Sequence, residues 1–249
     1  MEETAIRQFQ DLETRHWWFR GRRAVYFALL ESAHADRTGP VLDVGTGAGG
    51  FLEGLGHWGR VVACDLVPGD LVFVAERGLS DTVAGDAARL PFKDSAFGTV
   101  SLFDAIEHTE DDVAVLREAL RVVRPGGRAI VSVPAHAFLF SNNDRVAKHH
   151  RRYSRRLLRQ RLRDAGWEIE RATFANALLF PLILPAVLLI KAKEALLPRA
   201  FDTTTNLTWR YPRWLNSLLA AVFSFERHLV MHFDLPFGHS LAAVARRPD

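Results

Sequence analysis

Val41-Leu42-Asp43-Val44-Gly45-Thr46-Gly47-Ala48-Gly49-Gly50 reads as a buried strand that runs into a glycine turn, and the turn opens a helix carrying Phe51, Leu52 and Leu55. A short apolar run of this kind is the mark of a parallel strand covered on both faces. Glycine reaches backbone conformations closed to other residues and lets the main chain come close to a ligand. The helix N-terminus after it favours negative charge and hydrogen-bond acceptors.

Outward from that turn the same rhythm repeats. Arg60 to Cys64 is a second strand that ends at Asp65, and a third around Thr82 to Ala84 ends at Gly85-Asp86. Phe97 to Phe103 is a fourth, followed by Asp104 and Glu107-His108. A helix from Asp111 to Val123, with Val115, Leu116, Leu120 and Val123 at helical spacing, is stopped by Pro125-Gly126-Gly127; Arg128 to Val133 is then a fifth strand, ended by Pro134. Upstream, the first 38 residues read as helical, with an aromatic and basic cluster at His16 to Arg23 and a helix from about Arg22 to Ala33. Short apolar strands alternating with amphipathic helices predict a doubly wound α/β fold with a mostly parallel sheet. After Pro134 the pattern changes. Ala135 to Tyr153 is a polar loop rich in His and Arg, Ser154 to Ala165 a helix, and Trp167 to Phe174 a sixth strand. An apolar segment from Ala175 to Ile190 is interrupted by Pro181 and Pro185. A helix from Pro212 to about Met231 comes next, and Gly238 to Ala245 reads as a last strand.

Composition is consistent with one globular unit: 249 residues, 48% hydrophobic and 24% charged. The lone cysteine, Cys64, supports neither an internal disulfide nor a Cys-rich metal site. Met1-Glu2-Glu3-Thr4 has no apolar run behind it, so no secretory leader is expected and a cytoplasmic location is the default. The net charge of +3 is too mild to indicate nucleic acid by itself.

The glycines fit two templates. Gly45, Gly47 and Gly50 match the dinucleotide pattern G-x-G-x-x-G, and Asp43, Gly45, Gly47 and Gly49 match the acidic-x-G-x-G-x-G pattern of S-adenosyl-L-methionine (SAM) methyltransferases. The acids separate them. A carboxylate at Asp43 suits the ammonium of an amino-acid moiety, which SAM has and a nicotinamide dinucleotide lacks. Asp65 suits a ribose diol, and Asp86 an adenine amino group. Each of these acids alone reads equally well as a helix cap, but together they stand at three successive strand ends.

From Val41 to Val133 the chain resembles the class I SAM-dependent methyltransferase superfamily, in particular its type 11 group. The resemblance lies in Val41 to Gly49, in Asp65, in Gly85-Asp86-Ala87-Ala88-Arg89-Leu90-Pro91-Phe92, in Phe103-Asp104-Ala105-Ile106-Glu107-His108, and in Leu120 to Gly127. It implies a seven-stranded, mostly parallel, Rossmann-like sheet with an antiparallel last strand, a helical N-terminal cap and a helical insertion before that strand. It also implies three functional stretches: a cap at 1–38, a SAM-binding core at 39–134 and an acceptor side at 135–249. Asp43, Gly45, Thr46, Gly47 and Gly49 are expected to hold the amino-acid part of SAM, Asp65 the ribose, and Asp86 with Ala87 the adenine, with Leu66 a further cofactor contact. Phe103, Asp104 and His108 would line the floor, and Trp18, Arg20 and Arg23 would fold over the cofactor from the N-terminal segment. The product is S-adenosyl-L-homocysteine. A SAM-binding protein of the same fold that runs a cyclisation or decarboxylation instead of methyl transfer is the alternative.

Methyl transfer needs a base only where the nucleophile must lose a proton. His108 is the first candidate, with loop fixing as its competing role; His149 and Tyr153, in the loop after the fifth strand, are further candidates that overhang the acceptor. The adjacent His149-His150 pair lacks the spacing of a zinc motif, so no metal site is expected. Arg145, Lys148, Arg151, Arg152, Arg155, Arg156, Arg159, Arg161 and Arg163 form a basic run. It is either a solvated face or a surface for an anionic acceptor or membrane. The apolar segment beside it reads as a wall of the acceptor pocket, a helix dipping into a membrane surface, or a core or dimer contact. Together they point to an amphiphilic small-molecule acceptor, with peripheral membrane contact but no nucleic acid.

Overall fold

The computed structural model describes residues 12–33, 39–76, 78, 80–196 and 211–249. The helical readings for 1–11 and 34–38 lie outside the described residues.

The chain forms one seven-stranded sheet in the order β3-β2-β1-β4-β5-β7-β6. Its strands are β1 (Val41–Val44), β2 (Val61–Asp65), β3 (Asp81–Ala84), β4 (Phe97–Phe103), β5 (Val123–Pro134), β6 (Glu168–Ala175) and β7 (Ser240–Arg246). From β3 across to β5 every pairing is parallel, and β7 runs antiparallel between β5 and β6. The centre of the sheet is buried from end to end, with all of β1 and β4 out of solvent. That is why their sequences are unbroken apolar runs. Register at the centre fixes the surroundings of the first acid: Asp43 stands opposite Ala63 on one side and Ser101 on the other.

The helices are α1 (Trp17–Ser32), α2 (Leu52–Leu55), α3 (Pro68–Glu76), α4 (Asp112–Val122), α5 (Asn142–Val146), α6 (Arg155–Asp164), α7 (Phe180–Leu196) and α8 (Arg213–Val230). Several of their ends carry side-chain caps. Asp111 accepts from Ala114 N–H at the start of α4, and Ser154 from Leu157 N–H at the start of α6. α1 lies along α8, α3 covers β2 and β3, and α4 packs on β5 and on α6.

The structure moves several boundaries. α1 begins at Trp17 rather than near Arg22, because His16 caps it by accepting from Trp18 N–H. The aromatic and basic cluster is therefore helical and has a defined inward face. β5 begins at Val123, with Val123 paired to Phe97 and a register shift before Arg128, so Pro125-Gly126-Gly127 lies within the strand. The helix α3 is not foreshadowed by the sequence pattern, and the loop after β5 contains α5. Pro181 and Pro185 do not break the apolar segment. Pro181 sits in the first turn of α7, where its missing N–H is one of the unbonded ones anyway, and the helix continues past Pro185.

Gly21 is where α1 and α8 come closest. A Cβ there falls 2.1 Å from the ring of Phe223, which is fully buried. Gly21→Ala therefore lowers stability by about 1–3 kcal/mol, although Ala is the better helix former by ~1 kcal/mol; urea denaturation measures the loss.

Candidate functional site

The glycine turn, the ends of β1, β2 and β4, and the loop after β5 meet at the carboxyl edge of the sheet. Asp43 is the buried acid at the centre. Its Oδ1 accepts from Ser101 Oγ at 2.6 Å and its Oδ2 from Thr46 Oγ1 at 2.7 Å. Burial pushes its carboxyl up to about 6, and the two hydroxyl donors oppose that shift. Above it the turn is held by Gly45 N–H and Thr46 N–H, which both donate to Cys64 C=O. Gly47 has φ +51°, and a side chain there would meet nothing within 4 Å. Gly45, at φ +72°, instead faces Ala105 Cβ at 3.0 Å from its missing Cβ.

Asp65 closes the other side of the turn. Its Oδ2 accepts from Gly47 N–H at 2.9 Å and its Oδ1 from Val67 N–H at 2.9 Å. Leu66 beside it is 70% exposed. Asp86 is exposed and accepts from Ala88 N–H, with Ala87 half-buried between them. Phe103, at the end of β4, is stacked 4.1 Å from Phe51 and 5.6 Å from Tyr26, so its ring props the turn from beneath.

Asp104 comes next, with φ +50°, and is locked from two sides: Ser132 Oγ donates to Oδ1 at 2.9 Å and Arg22 Nη2 lies 2.8 Å from Oδ2. Arg22 is buried and sits over the rings of Trp18, Phe19, Tyr26 and Phe51 at 5.4–5.9 Å. The family resemblance points instead to its neighbours Trp18, Arg20 and Arg23. Of those, Trp18 packs against His239 and Phe223, and Arg20 stands exposed on α1. Arg23 donates to Glu13 C=O, Thr14 C=O and Gly50 C=O, tying the N-terminal segment to the glycine turn. With the helix begun at Trp17, position 22 falls on the inward face and position 20 on the outward one.

The loop after β5 is pinned by two buried carboxylates. Asp144 accepts from Arg152 Nε at 2.8 Å, His149 Nδ1 at 2.9 Å and Ser141 N–H at 2.9 Å, which hold it well below the usual carboxylate range despite burial. Asp112, in the first turn of α4, accepts from Arg151 Nη1 and from Tyr153 Oη, both at 2.8 Å. His149 is thereby brought against His108, ring centroids 4.7 Å apart. Tyr153 is not brought to the site. Its side chain is fully buried, its hydroxyl proton is committed to Asp112, and burial beside that carboxylate raises its pKa far above the ordinary tyrosine value. This corrects its candidacy as a catalytic group: Tyr153 is a strut of the loop. The His108 residue is exposed overall, but desolvation of its ring where it meets the loop, and the neighbouring His149, lower its pKa, so at neutral pH the ring is unprotonated. The sequence marks Glu107 only as part of the Phe103-to-His108 stretch and assigns it no role. It is fully buried between Ile106 and His108, and its carboxylate oxygens have no hydrogen-bond partner in any other described residue.

Part of the basic run is internal structure. Arg151 and Arg152 serve Asp112 and Asp144, Arg161 Nε lies 3.2 Å from Asp112, and Arg155 lies 4.8 Å over the Phe174 ring. Arg145, Lys148, Arg156 and Arg163 remain exposed.

Residues 42–131 match the family model described as a methyltransferase domain. The chain is 40% identical over 108 residues to a demethylmenaquinone methyltransferase of Beutenbergia cavernae, covering 42% of this chain and 45% of that one. It is 30% identical over 171 residues to a probable S-adenosylmethionine-dependent methyltransferase of Mycolicibacterium smegmatis, covering 67% and 65%. The matched stretch thus spans about half to two thirds of these curated relatives' length. Among solved structures, a chain from the complex of the Haloferax volcanii Trm112 methyltransferase activator has a TM-score of 0.62 at 20% identity, covering 99% of this chain and 96% of that one. The [4+2]-cyclase SpnF has 0.53 at 20% identity, covering 88% and 80%. At such identities the structures share the fold alone.

Tyr153→Phe removes one hydrogen bond to a buried charge and is expected to cost about 1.5–3 kcal/mol of stability, read as a lowered urea midpoint at unchanged slope.

Proposed function

We propose that this chain, which belongs to the class I SAM-dependent methyltransferase superfamily, binds SAM along the turn between β1 and α2 and transfers its methyl group to a hydroxyl of an amphiphilic, quinol-like small molecule. The observation that carries the reading is Asp43: a carboxylate gripped by two hydroxyls, buried at a strand end beneath a glycine turn that is open above Gly47. A buried carboxylate without a counter-charge is costly. The ammonium of an amino-acid moiety supplies that charge, and the residues present fit SAM on this ground.

In this reading Asp43 with the main chain of Gly45, Thr46, Gly47 and Gly49 holds the amino-acid end. Asp65 takes the ribose diol, exposed Leu66 covers the base, and Asp86 with Ala87 meets the adenine edge. Phe103 and Asp104 form the floor. Trp18, Arg20 and Arg23 belong to a cap (1–38) that closes over a cofactor-holding core (39–134), and 135–249 carries the acceptor side. When bound, SAM supplies a methyl group on a sulfonium, a leaving group already activated. The protein's remaining tasks are to align the acceptor, exclude water and remove one proton. The acceptor hydroxyl loses its proton to the unprotonated His108 ring as the oxygen–methyl bond forms and the sulfur–methyl bond breaks. His149, its Nδ1 engaged by Asp144, presents Nε2 to the same space.

An amphiphilic acceptor is supported by the far side of the site. His136 stacks on Phe174 and Phe180, and beyond them the apolar α7 leaves Leu182, Leu188 and Leu189 exposed. No helix of the described residues is long and apolar enough to cross a membrane, so α7 serves as a wall or a surface contact. The demethylmenaquinone relatives add weight to a ring of quinone type as the acceptor class.

SAM affinity should follow the ionised fraction of Asp43, falling about tenfold between pH 7 and pH 5 for a carboxyl titrating near 6. Calorimetry should show Asp43→Asn weak and flat across that range, and no SAM binding by the wild type would overturn the reading. His108→Ala should slow methyl transfer from labelled SAM to a hydroxylated naphthoquinol by roughly 10²–10⁴-fold with SAM affinity nearly unchanged; an unaltered rate removes His108 from the chemistry.

A further inference from the structure

Glu107, His108 and His149 put one carboxylate oxygen and two imidazole nitrogens within 4.8 Å of one another at the end of β4. We propose that these three side chains form a binding site for one divalent ion of the Zn²⁺, Mn²⁺, Fe²⁺ or Co²⁺ class, with open coordination positions facing the acceptor.

Glu107 is the member most in need of a partner. Its side chain is completely buried, and its oxygens accept no hydrogen bond from any other described residue, its own backbone N–H being the one donor beside them. Leaving such a group unsatisfied costs kilocalories, so an orphan of this kind asks for a partner. Its neighbours do not supply one. Asp104 is taken by Arg22, and Asp144 by Arg152 and His149. Two of the three carboxylates in this corner thus have their own cationic partners, and Glu107 is the one left over.

The imidazoles are oriented to serve as ligands. His149 Nδ1 is held at 2.9 Å by the Asp144 carboxylate, which fixes the tautomer and leaves Nε2 with a free lone pair. A carboxylate behind a histidine is the usual support of a metal-binding ring; it orients the ring and makes its other nitrogen more basic. The Ala147 carbonyl accepts from the His108 ring in the same way. Both rings are therefore anchored through one nitrogen.

The cluster is also accessible from one side. Glu107 is buried, His149 half-buried and His108 exposed, so it has a closed end and an open one. Two imidazoles and one carboxylate suit a borderline transition ion, and three protein ligands leave positions for a substrate oxygen. Bonds of about 2.0–2.2 Å bring ligand atoms to roughly 4 Å or less across an ion. A small displacement of the exposed His108 side chain that keeps its Ala147 contact closes that difference.

This inference rests on the proposed methyl transfer for its role and refines it. With the ion bound, the His108 nitrogen is a ligand, and the ion polarises the acceptor hydroxyl and lowers its pKa. The hydroxyl proton then leaves to solvent, while the oxygen–methyl bond forms and the sulfur–methyl bond breaks as before.

The site itself is testable without SAM or acceptor, so its failure and that of the methyl-transfer reading are distinguishable. The full chain, free of any affinity tag, is titrated with Zn²⁺ by calorimetry and with Co²⁺ by visible absorption. One ion per chain is expected, with intense ligand-field bands for Co²⁺. Glu107→Gln and His149→Gln should each weaken binding at least about tenfold, whereas His57→Gln, at an exposed histidine on the other side of the glycine turn, should leave it unchanged. His108→Gln, at an exposed position with little bearing on folding, serves as the variant should either buried substitution unfold the chain. No stoichiometric binding by the wild type, or affinity unchanged in His108→Gln and in whichever other variants fold, would overturn the site.

Discussion

The carboxylate of Asp43 is a charge placed where the sheet is most deeply buried, and most of the site is arranged around that fact. Register sets it opposite Ser101, so β4 supplies the first donor from across the strand pair. The glycine turn folds back so that Thr46 supplies the second. Neither donor carries charge, so the acid is solvated but not neutralised, and burial still raises its pKa to about 6. The same turn gives its Gly47 N–H to Asp65. One loop therefore binds the ends of β1 and β2 together and keeps two carboxylates at a common edge. Their mutual repulsion is offset only by neutral hydrogen bonds, and that arrangement favours a ligand bringing positive charge to one acid and hydroxyl donors to the other.

The second organising contact is the latch of Arg22 on Asp104. It fastens α1 to the end of β4 and carries the order of the aromatic stack of Tyr26, Phe103 and Phe51 with it. α1 in turn rests on α8, through the gap that Gly21 leaves for Phe223. A helix from the beginning of the described chain and one from near its end thus meet over the same edge. The remote parts of the sequence that surround the turn are consequently coupled to it through a short series of buried contacts rather than through the sheet alone.

The strands and the acids at their tips were legible in the sequence because a buried parallel strand has little freedom in composition. Val41 to Val44 and Phe97 to Phe103 admit almost no other reading. What was not legible depends on phase or on distance along the chain. The family resemblance singles out Arg20 and Arg23, whereas the arginine that α1 turns inward is Arg22, and only the folded helix with Asp104 opposite it reveals that. Glu107 looks like an ordinary acid before a histidine until the loop from His136 to Tyr153 folds back, placing His150 N–H on Glu107 C=O and the His149 ring on His108. Likewise the arginine run reads as one basic surface, whereas several of its members are the counter-charges of Asp112 and Asp144. Local composition cannot reveal which charges have already found partners.

That division of the arginines bears on what the acceptor side of the protein can be. A wholly exposed basic stripe next to an apolar helix would describe a membrane-binding face and little else. Here Arg151 and Arg152 tie the loop that carries His149 to Asp112 and Asp144, with Arg161 of α6 on the same Asp112, so their first effect is to hold a polar group over the end of β4. Arg145, Lys148, Arg156 and Arg163 stay outside. α7 is tied to the same loop, with Asn142 N–H donating to Glu194 Oε2 and Lys191 donating to Phe138 C=O. Its exposed leucines are thus fixed in relation to His108 and His149 instead of moving independently of them. The polar end of an amphiphile and its apolar body require such a pairing: a rigid, hydrogen-bonding corner at one end, and an apolar ridge continuous with it. The loop after β5 supplies both because its two buried carboxylates consume the charge that would otherwise have made it a solvated surface.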